Sequence, residues 1–287
     1  MRVGIDSYSY HRRYGEVRVG EDAHRGPAWP LLPGPVLRHA RELAVDELYL
    51  ETCYLPAPAS IDRALLADAG PVAVRFSWGH PWPDGSHHGL DGGRSPAAEV
   101  DLGHWIAAAA RHAQPIMRIT LGSPASRGDE PASVLVDRLV EPVRRVADEA
   151  ARLDVTLGIE NHGDLTAREL RELIERADRP NLGVTLDNVN LIRLGDGMLE
   201  GTRILAGLTQ MVQLKDHLAG DPTVWGGPVC TALGEGVAPL DEVLGILGEA
   251  GFDGAVCVEL ASLGPGQVDE LGMIARSVDW LRARLPA

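Results

Sequence analysis

Three carboxylates and one amide stand at or near the ends of four hydrophobic runs in the second half of the chain. The runs VTLGIE, LGVTLD and AVCVEL reach Glu160, Asp187 and Glu259, and the run MVQLKD between the last two carries Gln213 and Lys215. A charge at the end of a buried segment is costly unless something pairs with it or binds it. These residue types therefore indicate a site where a cation or a substrate meets the protein.

Side-chain alternation predicts that these groups converge. Residues two apart in a strand share a face, so Glu160, Asp187 and Glu259 each follow small residues on their own face, and Gln213 shares a face with Lys215. Three carboxylates in one cavity repel each other unless protons or a cation intervene. Ligation by oxygen alone suits Mg²⁺ or Mn²⁺ better than Zn²⁺, which prefers His and Cys. We therefore expect a divalent metal held by four ligands: Glu160, Asp187, Gln213 and Glu259. Taken singly, each acid has the alternative of capping a helix or forming an ion pair.

Eight β-rich runs alternate with segments of helical periodicity along the whole chain. The runs cover residues 2–6, 47–51, 72–76, 115–120, 155–160, 182–187, 211–216 and 255–260. The helical segments cover residues 35–45, 60–68, 96–112, 131–153, 166–178, 197–207, 239–250 and 267–284. Thr166 with Glu169 three residues on is a capping box, which marks the start of one helix.

This eightfold alternation predicts a single-domain α/β protein, a (β/α)8 TIM barrel over residues 1–287, rather than a doubly wound sheet. No G-x-G-x-x-G motif follows the first run, so a dinucleotide-binding unit has no support. Catalytic groups of such barrels sit at the carboxyl ends of the strands, where the acids stand.

One long loop is expected after the third strand, over about residues 77–96, with His80, His87, His88, Trp78 and Trp82 in it. Loops of this length on a compact fold are usually functional or disordered. Its histidines and aromatic rings are candidates for a lid over the substrate.

The first strand is followed by Tyr8, Tyr10 and His11, which would border the same pocket. We therefore expect substrate contacts from Tyr8 and His11, together with His80 and Trp82 of the long loop.

Composition narrows the class of protein. The 287 residues carry a net charge of -14, which disfavours nucleic acid as a partner. The three cysteines are widely separated and indicate a reducing compartment. No apolar run reaches the roughly 18 residues that span a bilayer, so we expect no membrane partner and a cytoplasmic location.

The segments GIENHGDLT, GVTLDNVN, VQLKDH, LGEG and CVEL resemble the xylose isomerase-like TIM barrels, specifically the sugar phosphate isomerase/epimerase superfamily. That group includes ketose 3-epimerases, inosose dehydratases and endonuclease IV. The resemblance implies a metal held by Glu160, Asp187, residue 213 and Glu259. The chain departs from it at Gln213, where relatives read HLKD, and at Asn190, where many relatives carry His. These amides argue against a multi-zinc nuclease.

The fourth metal ligand is open between two residues. Gln213 has the expected position, and His217 would supply the missing imidazole if its loop bends inward.

The resemblance further implies proton transfer next to a carbonyl group of a sugar, through an enediolate that the metal stabilises. Glu160 and Glu259 would shuttle the proton, and His162 is the alternative base because a neutral imidazole titrates near neutrality. Lys215 would steady an oxyanion or a substrate hydroxyl, or else pair with Asp216. Asn190 and His217 are further candidates for substrate contact.

Other functions remain open from the sequence. A leaving group β to the carbonyl would turn the same chemistry into a lyase, either a dehydratase or a deglycosidase that cleaves a 3-oxo C-glycoside. A metal-free pseudoenzyme, acting as a binding or partner subunit, is the third alternative, and a homo-oligomer is possible for each. The glycine turn LGEG (233–236) could approach a phosphate through its backbone N–H groups.

Overall fold

Eight parallel strands close into a barrel. The structure, a computed structural model, describes residues 1–16, 29–80, 89–220, 228–264, 266–267 and 269–285. The strands are β1 (Arg2–Asp6), β2 (Glu47–Glu51), β3 (Ala73–Trp78), β4 (Ile116–Ile119), β5 (Thr156–Glu160), β6 (Leu182–Asp187), β7 (Thr209–Leu214) and β8 (Ala255–Val258). Each strand pairs in parallel with its neighbours in sequence, and β8 returns to β1. The predicted single-domain TIM barrel is confirmed.

The helices cover the outside of the barrel. They are α1 (Gly34–Glu42), α2 (Pro96–Arg111), α3 (Pro124–Arg127), α4 (Ala132–Ala151), α5 (Ala167–Ala177), α6 (Met198–Leu205), α7 (Leu240–Glu249) and α8 (Glu270–Arg282). Thr166 and Glu169 form the predicted capping box at the start of α5.

One of the eight strand-helix units lacks its α-helix. The expected helix at 60–68 is wrong, because the chain there makes only two short 3-10 turns, Pro58–Ser60 and Ala67–Ala69. Between Ile61 and Ala69 every side chain is exposed or half-buried. A short helix needs an apolar face packed on a neighbour, and this segment offers too little buried surface to hold one.

The strand ends that carry the site differ slightly from expectation. Strand β7 ends at Leu214, so Lys215 lies just beyond it, and β8 ends at Val258, one residue before Glu259. Beyond β7, residues Asp216–His217 pair antiparallel with Cys230–Thr231.

A small apolar layer fills the lower part of the barrel interior. Tyr49, Met211, Ala255 and Cys257 are buried against each other, separate from the larger core between strands and helices. A Cβ atom at Gly4 would lie only 2.4 Å from Sγ of Cys257. The interior is therefore closed beneath the polar groups, which must face the carboxyl ends of the strands.

In the parts of the chain that the structure describes, no helix has both the length and the apolar character that crossing a bilayer requires.

Candidate functional site

The predicted site residues meet in the upper part of the barrel interior. Register places Asp187 opposite Gln213, and Gln213 opposite Cys257 on β8. Glu160 and Glu259 come from β5 and from the residue after β8. All of these polar side chains are buried, so each requires a partner or a proton.

The ammonium group of Lys215 lies between two of the acids. Its Nζ is 2.6 Å from Oδ2 of Asp187 and 2.7 Å from Oε1 of Glu259. Burial by itself lowers the pKa of Lys215, but the carboxylates of Asp187 and Glu259 outweigh it and raise that pKa above its ordinary value. Lys215 is therefore a charged, fully enclosed cation.

Two asparagine side chains extend the sheet beyond its last strand hydrogen bonds. Asn161 donates from Nδ2 to the carbonyl of Asp187 and accepts from the N–H of Asp187, both at 2.8 Å. Asn188 makes the same pair of bonds to the backbone of Lys215, both at 2.9 Å. Each Asn directly follows a strand-ending acid, and this repetition in ENH and DNV was the sequence signal that could have identified them.

Arg118 on β4 is a second buried cation, and sequence reasoning missed it. Its Nε lies 2.7 Å from Oε2 of Glu160, and its Nη2 lies 3.0 Å from Oε1 of Glu51 on β2. The available signal was one arginine inside the apolar run PIMRIT. Burial raises the pKa of both Glu51 and Glu160, and the guanidinium opposes that rise.

Asp6 at the end of β1 was also missed. Its Oδ2 accepts a hydrogen bond from Nε2 of Gln213 at 3.2 Å and from Oγ of Ser77 at 3.4 Å. Burial, and then the charge of Glu259, raise the pKa of Asp6 to about 6. As far as the structure describes it, the upper part of the interior thus holds two basic groups, Arg118 and Lys215, against five acids: Asp6, Glu51, Glu160, Asp187 and Glu259.

The donor atoms of the expected metal site are of the right kind. Among the described residues, two buried oxygens of the set have neither a hydrogen bond nor an ion pair, Gln213 Oε1 and Glu259 Oε2, whereas Glu160 Oε2 and Asp187 Oδ2 are held in ion pairs. Oxygen donors of this kind suit Mg²⁺ or Mn²⁺.

Their placement does not suit an ion. Lys215 stands where Asp187 and Glu259 would share one, and Arg118 holds Glu160. Among the described residues, no three or more His, Cys, Asp or Glu side chains are grouped so that they could hold a metal. As the side chains lie, the set fits an internal ammonium and not a divalent metal.

A small cavity opens above these groups. It is lined by Tyr8, His80, Arg118, Glu160, His162, Asn190, Arg193, Lys215 and Glu259. Seven of the nine were expected from the sequence, and the two arginines were not. Its lining combines two acids with several hydrogen-bond donors, and this chemistry suits the hydroxyl and carbonyl groups of a polyhydroxylated ligand.

His162 presents a neutral imidazole to the cavity. Its Nδ1 is 2.9 Å from the carbonyl oxygen of Gly122, and because a carbonyl only accepts, Nδ1 carries the hydrogen and Nε2 the lone pair. Burial, followed by the charges of Arg193 and Arg118, holds the pKa of His162 well below its ordinary value. The ring is therefore available as a base.

Asn190 connects two acids. Its Nδ2 donates to Oε1 of Glu160 at 3.0 Å, and its backbone N–H donates to Oδ1 of Asp187 at 3.0 Å. The amide that stands where relatives carry a histidine therefore positions Glu160.

Glu16 organises the other wall of the cavity and was not predicted. Its carboxylate accepts from the hydroxyls of Tyr8 and Tyr54, both at 2.7 Å, and lies 3.3 Å from Nε2 of His80. The rings of Tyr8 and His80 are in contact, with centroids 4.2 Å apart. Burial alone would raise the pKa of Glu16, but the bonds from His80 and the two tyrosines hold it below its usual range.

Several other candidates lie away from the cavity. His11 is buried, with Nδ1 2.9 Å from the carbonyl of Tyr8, and Nδ1 of His217 is 2.9 Å from the carbonyl of Leu218. Neither lines the cavity.

The long loop is only partly described. Trp78 belongs to β3 and donates from Nε1 to Asp101 on α2. Trp82, His87 and His88 lie outside the described residues.

Asp216 ties down the glycine turn. Its carboxylate accepts from the backbone N–H groups of His217, Gly234, Gly236 and Ala238, at 2.8 to 3.0 Å. Within LGEG, the N–H groups of Gly234 and Gly236 are thus directed at a carboxylate, and the other two N–H groups bond to Ser277 and Ala232. This corrects the expectation that the turn approaches a phosphate. Lys215 pairs with Asp187 and Glu259, which corrects the alternative of a pair with Asp216.

The sequence pattern described as Xylose isomerase-like TIM barrel matches residues 64–284, more than half of the chain. The chain belongs to this family. The match covers β3 to β8 and includes every metal ligand expected from the sequence.

Three solved structures of other proteins have the same fold. A xylose isomerase domain protein from Planctomyces limnophilus has a TM-score of 0.69 at 22% identity, over 86% of this chain and 90% of its own. D-allulose 3-epimerase from Methylomonas sp. has a TM-score of 0.72 at 15% identity, over 99% and 97%. D-psicose 3-epimerase from Clostridium cellulolyticum H10, solved with D-tagatose, has a TM-score of 0.71 at 17% identity, over 100% of both chains. At these identities the likeness establishes the fold alone. A search of curated proteins gives no significant match.

Proposed function

We propose that this barrel is a sugar isomerase or epimerase that moves a proton next to a carbonyl group. The observation that carries the proposal is that Glu160 and Glu259 line one cavity with a buried ammonium, Lys215, among them. The structural neighbours named as sugar 3-epimerases support the substrate class.

The chain's own residues divide the work as follows. One glutamate removes the proton from the carbon next to the carbonyl, and the other returns a proton to the intermediate. Burial raises the pKa of both Glu160 and Glu259, which makes each carboxylate a stronger base than an exposed one. Lys215 and Arg118 place positive charge where the enediolate oxygens develop. His162, with Nε2 unprotonated, is the alternative base.

The alternative that the family resemblance implies is a metal-dependent form of this chemistry. Mn²⁺ or Mg²⁺ would be held by Glu160, Asp187, Gln213 and Glu259, and would supply Lewis-acid stabilisation of the enediolate. The oxygens Gln213 Oε1 and Glu259 Oε2, which have no partner among the described residues, support this alternative. The ion pairs of Lys215 and Arg118 oppose it, because both cations would have to withdraw first.

A lyase is the second candidate. If the substrate has a leaving group β to the carbonyl, the same deprotonation leads to its expulsion, as in a dehydratase or a deglycosidase of 3-oxo glycosides. The specific observation in its favour is that His80 lines the cavity beside both glutamates, since a leaving group requires a proton donor.

Solvent exchange separates these activities. We expect deuterium from D₂O to enter free ketoses at the carbon next to the carbonyl, followed by mass spectrometry, with Glu160→Gln and Glu259→Gln as inactive controls. Release of an aglycone from a 3-oxo glycoside without exchange into free ketoses would select the lyase. Binding of sugars without either reaction would select the pseudoenzyme.

A further inference from the structure

Lys215 is the only lysine among 287 residues, and every other basic side chain with a permanent charge is an arginine. It is also buried, with 4% of its surface exposed. A lysine ammonium is a compact point charge, whereas a guanidinium is broad and planar. The position therefore calls for a small cation.

The two carboxylates are arranged to receive that cation. Oδ1 of Asp187 accepts from the backbone N–H groups of Val189 and Asn190, at 2.9 and 3.0 Å. Oδ2 is left for Lys215, and Oε1 of Glu259 meets the same ammonium from the other side. Because Asn188 brackets the backbone of Lys215, the whole arrangement is fixed on rigid strand ends.

The neighbouring position offers a metal only a weak ligand. Gln213 uses Nε2 as a donor to Asp6 on β1. An imidazole lone pair is a strong ligand for divalent ions, whereas an amide oxygen is a weak one. The weak ligand and the two ion pairs of the ammonium point in the same direction.

We propose that Lys215 is the resident cation of this site: its ammonium takes the place of a divalent metal between Asp187 and Glu259, and the protein binds no such ion there. The catalytic part rests on the proposed function. There the carbon–hydrogen bond breaks, the proton passes to a glutamate, and the electron pair moves onto the carbonyl oxygen. An N–H of Lys215 stabilises that oxyanion until a proton returns to carbon.

Metal binding is measured without substrate, on protein first treated with EDTA. Mn²⁺ is titrated and the signal of the free ion is followed by electron paramagnetic resonance. We expect the wild type to bind no Mn²⁺ at this site up to about 1 mM. Lys215→Met frees both carboxylates and should bind one Mn²⁺ per chain at least roughly tenfold more tightly. Lys215→Arg keeps a positive charge between the acids and is the matched control, expected to gain no Mn²⁺ site.

Two results would overturn the proposal: one Mn²⁺ per wild-type chain bound in the micromolar range, or Lys215→Met binding no better than the wild type. Because Lys215→Met leaves two buried acids unpaired, its fold is checked by circular dichroism.

If that variant does not fold, Gln213→His provides the second test. With Lys215 in place, we expect it to gain no tight Mn²⁺ site, and a tight site there would equally refute the proposal.

The Mn²⁺-binding measurements do not depend on catalytic turnover. Failure of every ketose to exchange would remove the proposed function and leave the binding result standing. Conversely, an active enzyme that requires Mn²⁺ would keep the proposed function and remove the inference about Lys215.

Discussion

Nε of Arg118 lies 2.7 Å from Oε2 of Glu160, inside the barrel and out of contact with solvent. The same guanidinium reaches Glu51, so one side chain joins strands β2, β4 and β5. A buried acid held this way keeps a fixed orientation before any substrate arrives. The interior of this barrel is thus organised by cations that belong to the chain.

Replacing Arg118 should cost stability. Arg118→Met leaves Glu51 and Glu160 buried without their cation, and breaking such a group typically costs about 3–5 kcal/mol. We expect this loss in the free energy of unfolding in urea. The control is Arg145→Met, which breaks a surface pair with Glu99 and should cost no more than about 1 kcal/mol. Equal losses of unfolding free energy in the two variants would show that the buried ion pairs stabilise the protein no more than a surface pair does.

Removing either glutamate should abolish turnover and not folding. Glu160→Gln and Glu259→Gln keep the shape of the side chain and remove the base, and general acid-base catalysis contributes roughly 100-fold or more. We expect kcat for ketose exchange to fall by at least that factor in variants that still fold, because Arg118 keeps Glu51 and Lys215 keeps Asp187 as a partner. Glu235→Gln, which breaks an exposed pair with Arg276, is the control. A loss below about threefold in both site variants is incompatible with the assigned roles.

Glu16 should act on substrate binding through its partners. Glu16→Gln has one acceptor oxygen in place of two, so it cannot hold Tyr8, Tyr54 and His80 together. Losing a bond to a charged acceptor costs about 1.5–3 kcal/mol, and we expect roughly a tenfold or greater rise in KM with a smaller change in kcat. Tyr54→Phe removes only the bond farthest from the cavity and should leave KM near the wild-type value. An unchanged KM in Glu16→Gln contradicts this positioning role.

The fold was predictable because alternation and length are local properties of the sequence. The strand-ending acids were predictable for the same reason, since each follows a buried run whose parity sets its direction. Arg118 and Glu16 were not, because most of their partners are distant in the sequence. Arg118 acts through Glu51, which is 67 residues away, and Glu16 acts through Tyr54 and His80, which are 38 and 64 residues away. Ion pairs across a barrel depend on the register and tilt of the strands, which the sequence alone does not specify.

The role of Lys215 shows the same limit of prediction from sequence. Parity already placed Lys215 with Gln213 and apart from Asp216, but it could not decide between an ion and an ammonium at the acids. The helix expected at 60–68 is absent for a different reason. Helical periodicity in the sequence does not show how little of that segment is buried.

Asp216 should stabilise the loop after β7. Its carboxylate accepts four backbone hydrogen bonds, and a hydrogen bond to a charged group contributes about 1.5–3 kcal/mol. Asp216→Ala should therefore lower the free energy of unfolding by at least about 3 kcal/mol, measured in urea. Asp241→Ala, an exposed acid paired with Arg284, is the control. A small loss in Asp216→Ala would mean that water replaces the carboxylate.

Asp164 should make stability depend on pH in the direction opposite to a salt-bridged acid. It is buried, its Oδ1 accepts only from the adjacent N–H of Leu165, and its Oδ2 has no hydrogen bond among the described residues. Burial raises its pKa from 3.8 to about 6. The folded state therefore binds the proton more tightly than the unfolded chain, and stability falls as pH rises through the window from about 4 to 6.

Asp164→Asn removes this titration and serves as the test. A shift of this size corresponds to at most about 3 kcal/mol, so the variant should gain up to that amount over the wild type at pH 7 to 8. Below about pH 4 the gain should vanish, because the wild-type acid is protonated in both states. Urea unfolding of both proteins between about pH 3.5 and 8 measures the difference, with the exposed Asp129→Asn as control. If the difference in stability between the two proteins does not change with pH, other groups of the folded protein already stabilise the ionised carboxylate of Asp164.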